Sequence, residues 1–127
     1  MASIIAAALL CSLGIGLEVW AGLVLGSRRA LGLDEAPPDA ALPRLVFAGP
    51  FGLVRHPQSL GLLLILAGTV LAFRRPGLVL LAVVVGGVVV AMAVRDDREM
   101  ARRFGDAYAR YQRAVPLLVP WLGGRRD

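Results

Sequence analysis

The stretch Gly-Pro-Phe-Gly-Leu-Val-Arg-His-Pro-Gln-Ser-Leu-Gly, Gly49 to Gly61, holds the only histidine of the 127-residue chain, set between an arginine and a proline against a long apolar run. Two roles suit His56 there. Pro57 fits the first position of a helix, where its missing N–H costs nothing, so His56 can stand near the N-cap. The same helix start offers free N–H groups and positive dipole character to a carboxylate or phosphate, which makes it an anion site.

A second group is Asp96-Asp97. Elsewhere in the tail, Glu99 has Arg102 and Arg103 three and four residues on, and Asp106 has Arg110, the spacing of surface ion pairs worth a few tenths of a kcal/mol. Asp96 and Asp97 have no such partner in their own segment. Their charge has to be met from outside it, by water and headgroups, by a cationic or hydroxyl-bearing ligand, or by Arg55. Glu18 is a third oddity, a carboxylate inside an apolar run, where it needs a neighbouring helix or a task. Pairing of a nucleophile with a base finds no support: there is one histidine, one cysteine (Cys11) in another apolar run, and no Ser/His/Asp spacing. The single cysteine rules out an intrachain disulfide, and no metal-ligand cluster is read.

The elements that position these residues are membrane elements. The chain is 57% hydrophobic with a mean hydropathy of +0.71, well above a soluble domain. The pattern predicts an all-α membrane protein, a single domain over residues 1–127 in the lipid bilayer. A first transmembrane helix is expected over 3–26, read as retained rather than as a cleaved leader because no basic residue precedes it. A proline- and acid-rich loop fills 27–56. A tight transmembrane hairpin follows, 57–73 and 77–94, reversed by Arg74-Arg75-Pro76. Met100, Phe104, Tyr108, Tyr111 and Val115 then recur at spacings of four, four, three and four, which predicts an amphipathic helix over 96–114.

All fourteen basic residues are arginine. Twelve fall in the 27–56 loop or the tail and only Arg74 and Arg75 at the hairpin turn, which places the loop and the C-terminus in the cytoplasm. The basic charge thus reads as topology, and no nucleic-acid partner is expected. Because the hairpin is tight, His56-Pro57 and Asp96-Asp97 should meet as one pocket at the cytoplasmic face.

These residues resemble a known family. Gly49, Pro50, Arg55, His56, Pro57 and Gly61, then a hairpin, then Phe104, Gly105, Tyr108, Tyr111, Val115, Pro116 and Pro120 stand in register with the core of the isoprenylcysteine carboxyl methyltransferase and phospholipid methyltransferase group. The resemblance covers roughly Leu45 to Pro120. It implies an integral membrane enzyme using S-adenosyl-L-methionine on a small or lipid-like methyl acceptor. It also implies cofactor contacts from Leu45, Val46, Phe51, His56, Pro57, Gln58 and Ser59, with Asp96 and Asp97 at the cofactor's polar end. Arg95 and Glu18 are the acceptor-side candidates. Departures are Ser59 and Phe51 where the family has tyrosine, aspartates where it has glutamates, and Met92 where an arginine helps hold the prenylated acceptor. A rival reading follows from them: a non-catalytic membrane protein that keeps the fold. Methyl transfer from a sulfonium is an in-line displacement that needs alignment and a dry site more than a strong base, which suits this residue set.

Overall fold

A computed structural model describes residues 1–30 and 49–119. Those residues form four α-helices and one 3₁₀ turn, with no strand among them. Helix α1 spans Ala2–Ala30, the 3₁₀ turn Gly49–Gly52, α2 Pro57–Phe73, α3 Pro76–Phe104 and α4 Asp106–Ala114. The all-helical expectation holds. Leu45, Val46 and most of the expected loop lie outside the described residues.

Two helices, α1 and α3, are long and apolar enough to cross a bilayer, while α2 is a shorter apolar helix of 17 residues. At 1.5 Å per residue α2 is about 25 Å long. Apolar side chains cover the outside of the bundle: Ile4, Leu9, Leu13, Leu80 and Val83 are each more than half exposed. In water such a surface would be an aggregation liability; against acyl chains it is the solvated state.

α1 and α2 meet through small residues. Ala7 and Gly14 on α1, and Gly61 and Gly68 on α2, are buried, with Cys11 half-buried between them. A Cβ on Gly14 would stand 2.5 Å from the Gly61 carbonyl oxygen, and one on Gly68 would stand 2.5 Å from Cys11 Sγ. Backbone touches backbone here, which dispersion between helices in lipid requires. Glu18 is on this seam, half-buried, against Gly61.

The hairpin turn is shorter than expected. α3 begins at Pro76 itself, so only Arg74 and Arg75 connect the two helices. Arg74 closes α2 in the left-handed region (φ 50°), donating its N–H to the Val70 carbonyl, and Arg75 is extended, as a residue before proline must be.

The expected boundary between a span ending at Val94 and a tail helix over 96–114 is not found. α3 runs unbroken from Pro76 to Phe104, and the break comes at Gly105 (φ 59°). The change from apolar to charged residues at Arg95 alters what surrounds the helix, but no residue between Val94 and Phe104 disfavours helical dihedrals. Gly105 does, because its positive φ is costly for any residue with a Cβ. It turns the chain so that α4 folds back onto the buried face of α3. Tyr108, Tyr111 and Val115 form a core there with Met100, Ala101 and Phe104 packed against it, while Arg103 and Arg110 stay exposed.

Candidate functional site

The site is built where α2 starts, α3 leaves its apolar stretch and α4 folds back. Its centre is Asp97, 8% exposed. Arg55 Nη1 donates to both Asp97 oxygens at 2.7 Å. Tyr108 Oη donates to Oδ1 at 2.7 Å and Gln112 Nε2 to Oδ2 at 2.8 Å. A carboxylate out of water demands such partners, and removing one side of a buried pair costs about 3–5 kcal/mol. Burial and the neighbouring carboxylate push the Tyr108 hydroxyl well above its ordinary range, so it stays protonated and serves as a donor.

The Arg-His segment is also held through its backbone. The N–H groups of Arg55 and His56 donate to the carbonyls of Pro116 (2.9 Å) and Leu117 (3.2 Å), in the segment that follows α4. Tyr111 Oη donates to the Phe51 carbonyl at 2.8 Å, and its ring meets Tyr108 edge-on with centroids 5.4 Å apart. Val54, Pro50, Pro57 and Val115 are fully buried beneath these contacts. Sequence, backbone pairing and packing thus converge on one loop.

His56 stands at the N-cap of α2, as expected, with Pro57 in the first turn and the His56 carbonyl accepting from the Leu60 N–H at 3.1 Å, but its side chain makes no capping hydrogen bond. Its Nε2 is 3.7 Å from Asp97 Oδ1, beyond hydrogen-bond reach. Both His56 Nε2 and Arg55 Nε are buried without a hydrogen-bond partner among the described residues. Two adjacent unsatisfied nitrogens at one helix start are the chemical opening of this site, since such groups are seldom left unmet. Burial lowers the His56 pKa from its ordinary value, against the opposing pull of Asp97 and Asp96 and with that of Arg55, which favours the neutral ring.

Of the residues expected at the site, the structure brings His56, Pro57 and Asp97 together. Phe51 joins them through its carbonyl, with its side chain half-buried. Ser59 is half-buried and Gln58 exposed on the first turn of α2. Asp96 is exposed. Arg95 is exposed too, and two helical positions from Asp97 place it about 200° around α3, away from the cluster. Glu18 stands beside Gly61, one turn into α2. Of the ways open to meet the acidic pair, Arg55 takes Asp97 and leaves Asp96 exposed. Tyr108 and Gln112 were not foreseen as its partners. Tyr108 gave one usable sign, since a tyrosine on a buried stripe needs somewhere to put its hydroxyl. An apolar groove of ≈ 530 Å³ between the helices, lined by Leu10, Leu63, Leu66, Val70, Val79 and Val83 among others, lies toward the hairpin turn, at the far end of α2 from His56.

The Arg-His-Pro start of α2 is thus locked by an acid from α3, the helix that returns beside it. Residues 2–107 match the phospholipid methyltransferase family, and the chain belongs to it. It is also 34% identical over 76 residues to methanethiol S-methyltransferase 2 of Bradyrhizobium diazoefficiens. That match covers 60% of this chain but 29% of the relative, so the chain corresponds to under a third of that protein. No solved structure matches it.

Proposed function

We propose that the chain is a membrane methyltransferase that uses S-adenosyl-L-methionine and acts on a small or lipid-like acceptor. The observation that carries the reading is the pair of buried, unpartnered nitrogens, Arg55 Nε and His56 Nε2, at the start of α2. These groups and the free N–H groups of the first turn of α2 suit the carboxylate of the cofactor. Asp97, saturated by Arg55, Tyr108 and Gln112, holds the arginine in place; the exposed Asp96 is the acid left free to meet the cofactor's amino group.

When bound, the cofactor supplies an electrophilic methyl group on a sulfonium. The protein's part is then to align, to keep water out and to leave the acceptor an approach in line with the breaking bond. No residue of the cluster is needed as a strong base, and neutral His56 is compatible with that. The named activity of the Bradyrhizobium protein, methylation of a small thiol, supports a small acceptor. An acceptor of that kind dissolves in the bilayer and reaches the site between helices. We place α2 as a third span, paired with α3, with the Arg55 face and the tail in the cytoplasm.

Isothermal titration of the full chain in detergent tests the reading. Wild type should bind S-adenosyl-L-methionine, and His56→Ala should weaken binding roughly ten- to hundredfold with the helical content unchanged, as loss of a hydrogen bond to a charged group implies. Wild-type protein showing no heat at millimolar cofactor would favour a non-catalytic member of the family.

A further inference from the structure

α3 carries one face without interruption from bilayer depth into the polar region. Leu81, Val84, Val88, Ala91, Arg95, Arg98 and Arg102 follow one another at alternating steps of three and four, so they form a single row along an unbroken helix. Every one of them is exposed. The apolar members face acyl chains, and nothing turns the helix before the arginines begin. At 1.5 Å per residue Arg95 and Arg102 are about 10.5 Å apart along the axis, somewhat more than a headgroup layer roughly 5–8 Å deep, so the outer guanidiniums reach it by bending their stems toward it.

None of the three arginines pairs with a described residue; among those, the ion pairs converge on Asp97, on the opposite side of α3. The exposed acids Glu99 and Asp96 flank the row on one side, with Arg103 between them, and leave the face positive. We propose that this row is a binding surface for anionic phospholipid headgroups. Each guanidinium presents a planar set of donors suited to a phosphate, and its stem spreads along the apolar boundary. Three such groups at graded depth match a headgroup layer better than a soluble partner, which would meet only the outermost. The inference does not depend on the methyltransferase reading, since Arg95, Arg98 and Arg102 lie away from the Asp97 cluster.

The test uses the full chain in nanodiscs of equal phosphatidylcholine and phosphatidylglycerol, released into the gas phase for native mass spectrometry of retained lipid. Wild type should retain phosphatidylglycerol preferentially. The triple substitution Arg95→Gln, Arg98→Gln, Arg102→Gln should lose that preference, by about fivefold per arginine. Should the triple variant fail to fold, Arg98→Gln alone should show the fivefold step. If the row faces an acidic protein instead, wild type in these protein-free discs shows no headgroup preference, and that result overturns the proposal. So does a folded variant whose preference is unchanged.

Discussion

His56 and Asp97 divide their work in a way that neither residue type reveals alone. The acid is fully engaged and the imidazole is not, so one is a fixed post and the other an open group. The buried ring also sets a pH dependence. Its pKa is lowered in the folded protein chiefly by burial, so the unfolded chain takes up the proton first as pH falls. The stability this neutral ring contributes is complete above about pH 6.5 and is lost as pH drops from there toward the lowered folded value. His56 is the only histidine, so one substitution removes the whole imidazole contribution. Urea unfolding in detergent between pH 7.5 and 5 should show stability declining below about pH 6.5. His56→Asn should flatten that portion; an unchanged slope would mean that carboxylates set it.

Glycine positions along α1 separate packing from mere composition. Gly14 and Gly16 are two residues apart, yet Gly14 touches the Gly61 backbone and Gly16 has nothing within 4 Å. Gly14→Ala should therefore push α1 off α2 and cost about 1–3 kcal/mol, as overpacking does. Gly16→Ala should be neutral or stabilising. Comparing the thermal unfolding of the two variants in the same micelle checks this, and equal effects would show that the α1–α2 seam is not a close contact. The same seam explains why Cys11 is small: a larger side chain would collide with the Gly68 backbone.

Topology is the property of the whole chain that its charges address. With Arg74 and Arg75 alone at the hairpin turn, reporter fusions should place residue 75 on one side of the membrane and residues 56 and 119 on the other. Finding all three on one side would show that α2 and α3 do not cross as a pair. The meeting of the two helix ends was legible beforehand. Arg74-Arg75-Pro76 admits only a reversal, so the meeting of Arg55-His56 with the Asp97 end of α3 followed from the turn. What the chain text concealed depends on contacts distant in sequence. Which of two adjacent aspartates turns inward is set by where α3 sits, and Gln112 carries no pattern that marks it as a partner. The helix end was misplaced because polarity changes at Arg95 while backbone preference changes only at Gly105.

The two backbone hydrogen bonds from Arg55 and His56 to Pro116 and Leu117 bear on the order of events during synthesis. Helices α2 and α3 can form from their own residues, but the Arg-His-Pro loop keeps open amide groups until residue 117 is available to meet them. A chain ending at Ala114 would own both arms of the hairpin and every side chain of the Asp97 cluster, and still lack the Pro116 and Leu117 carbonyls that fix the loop. Assembly of the site therefore waits on residues that follow both arms of the hairpin, and a chain cut short before Pro116 leaves the hairpin with an unfinished site.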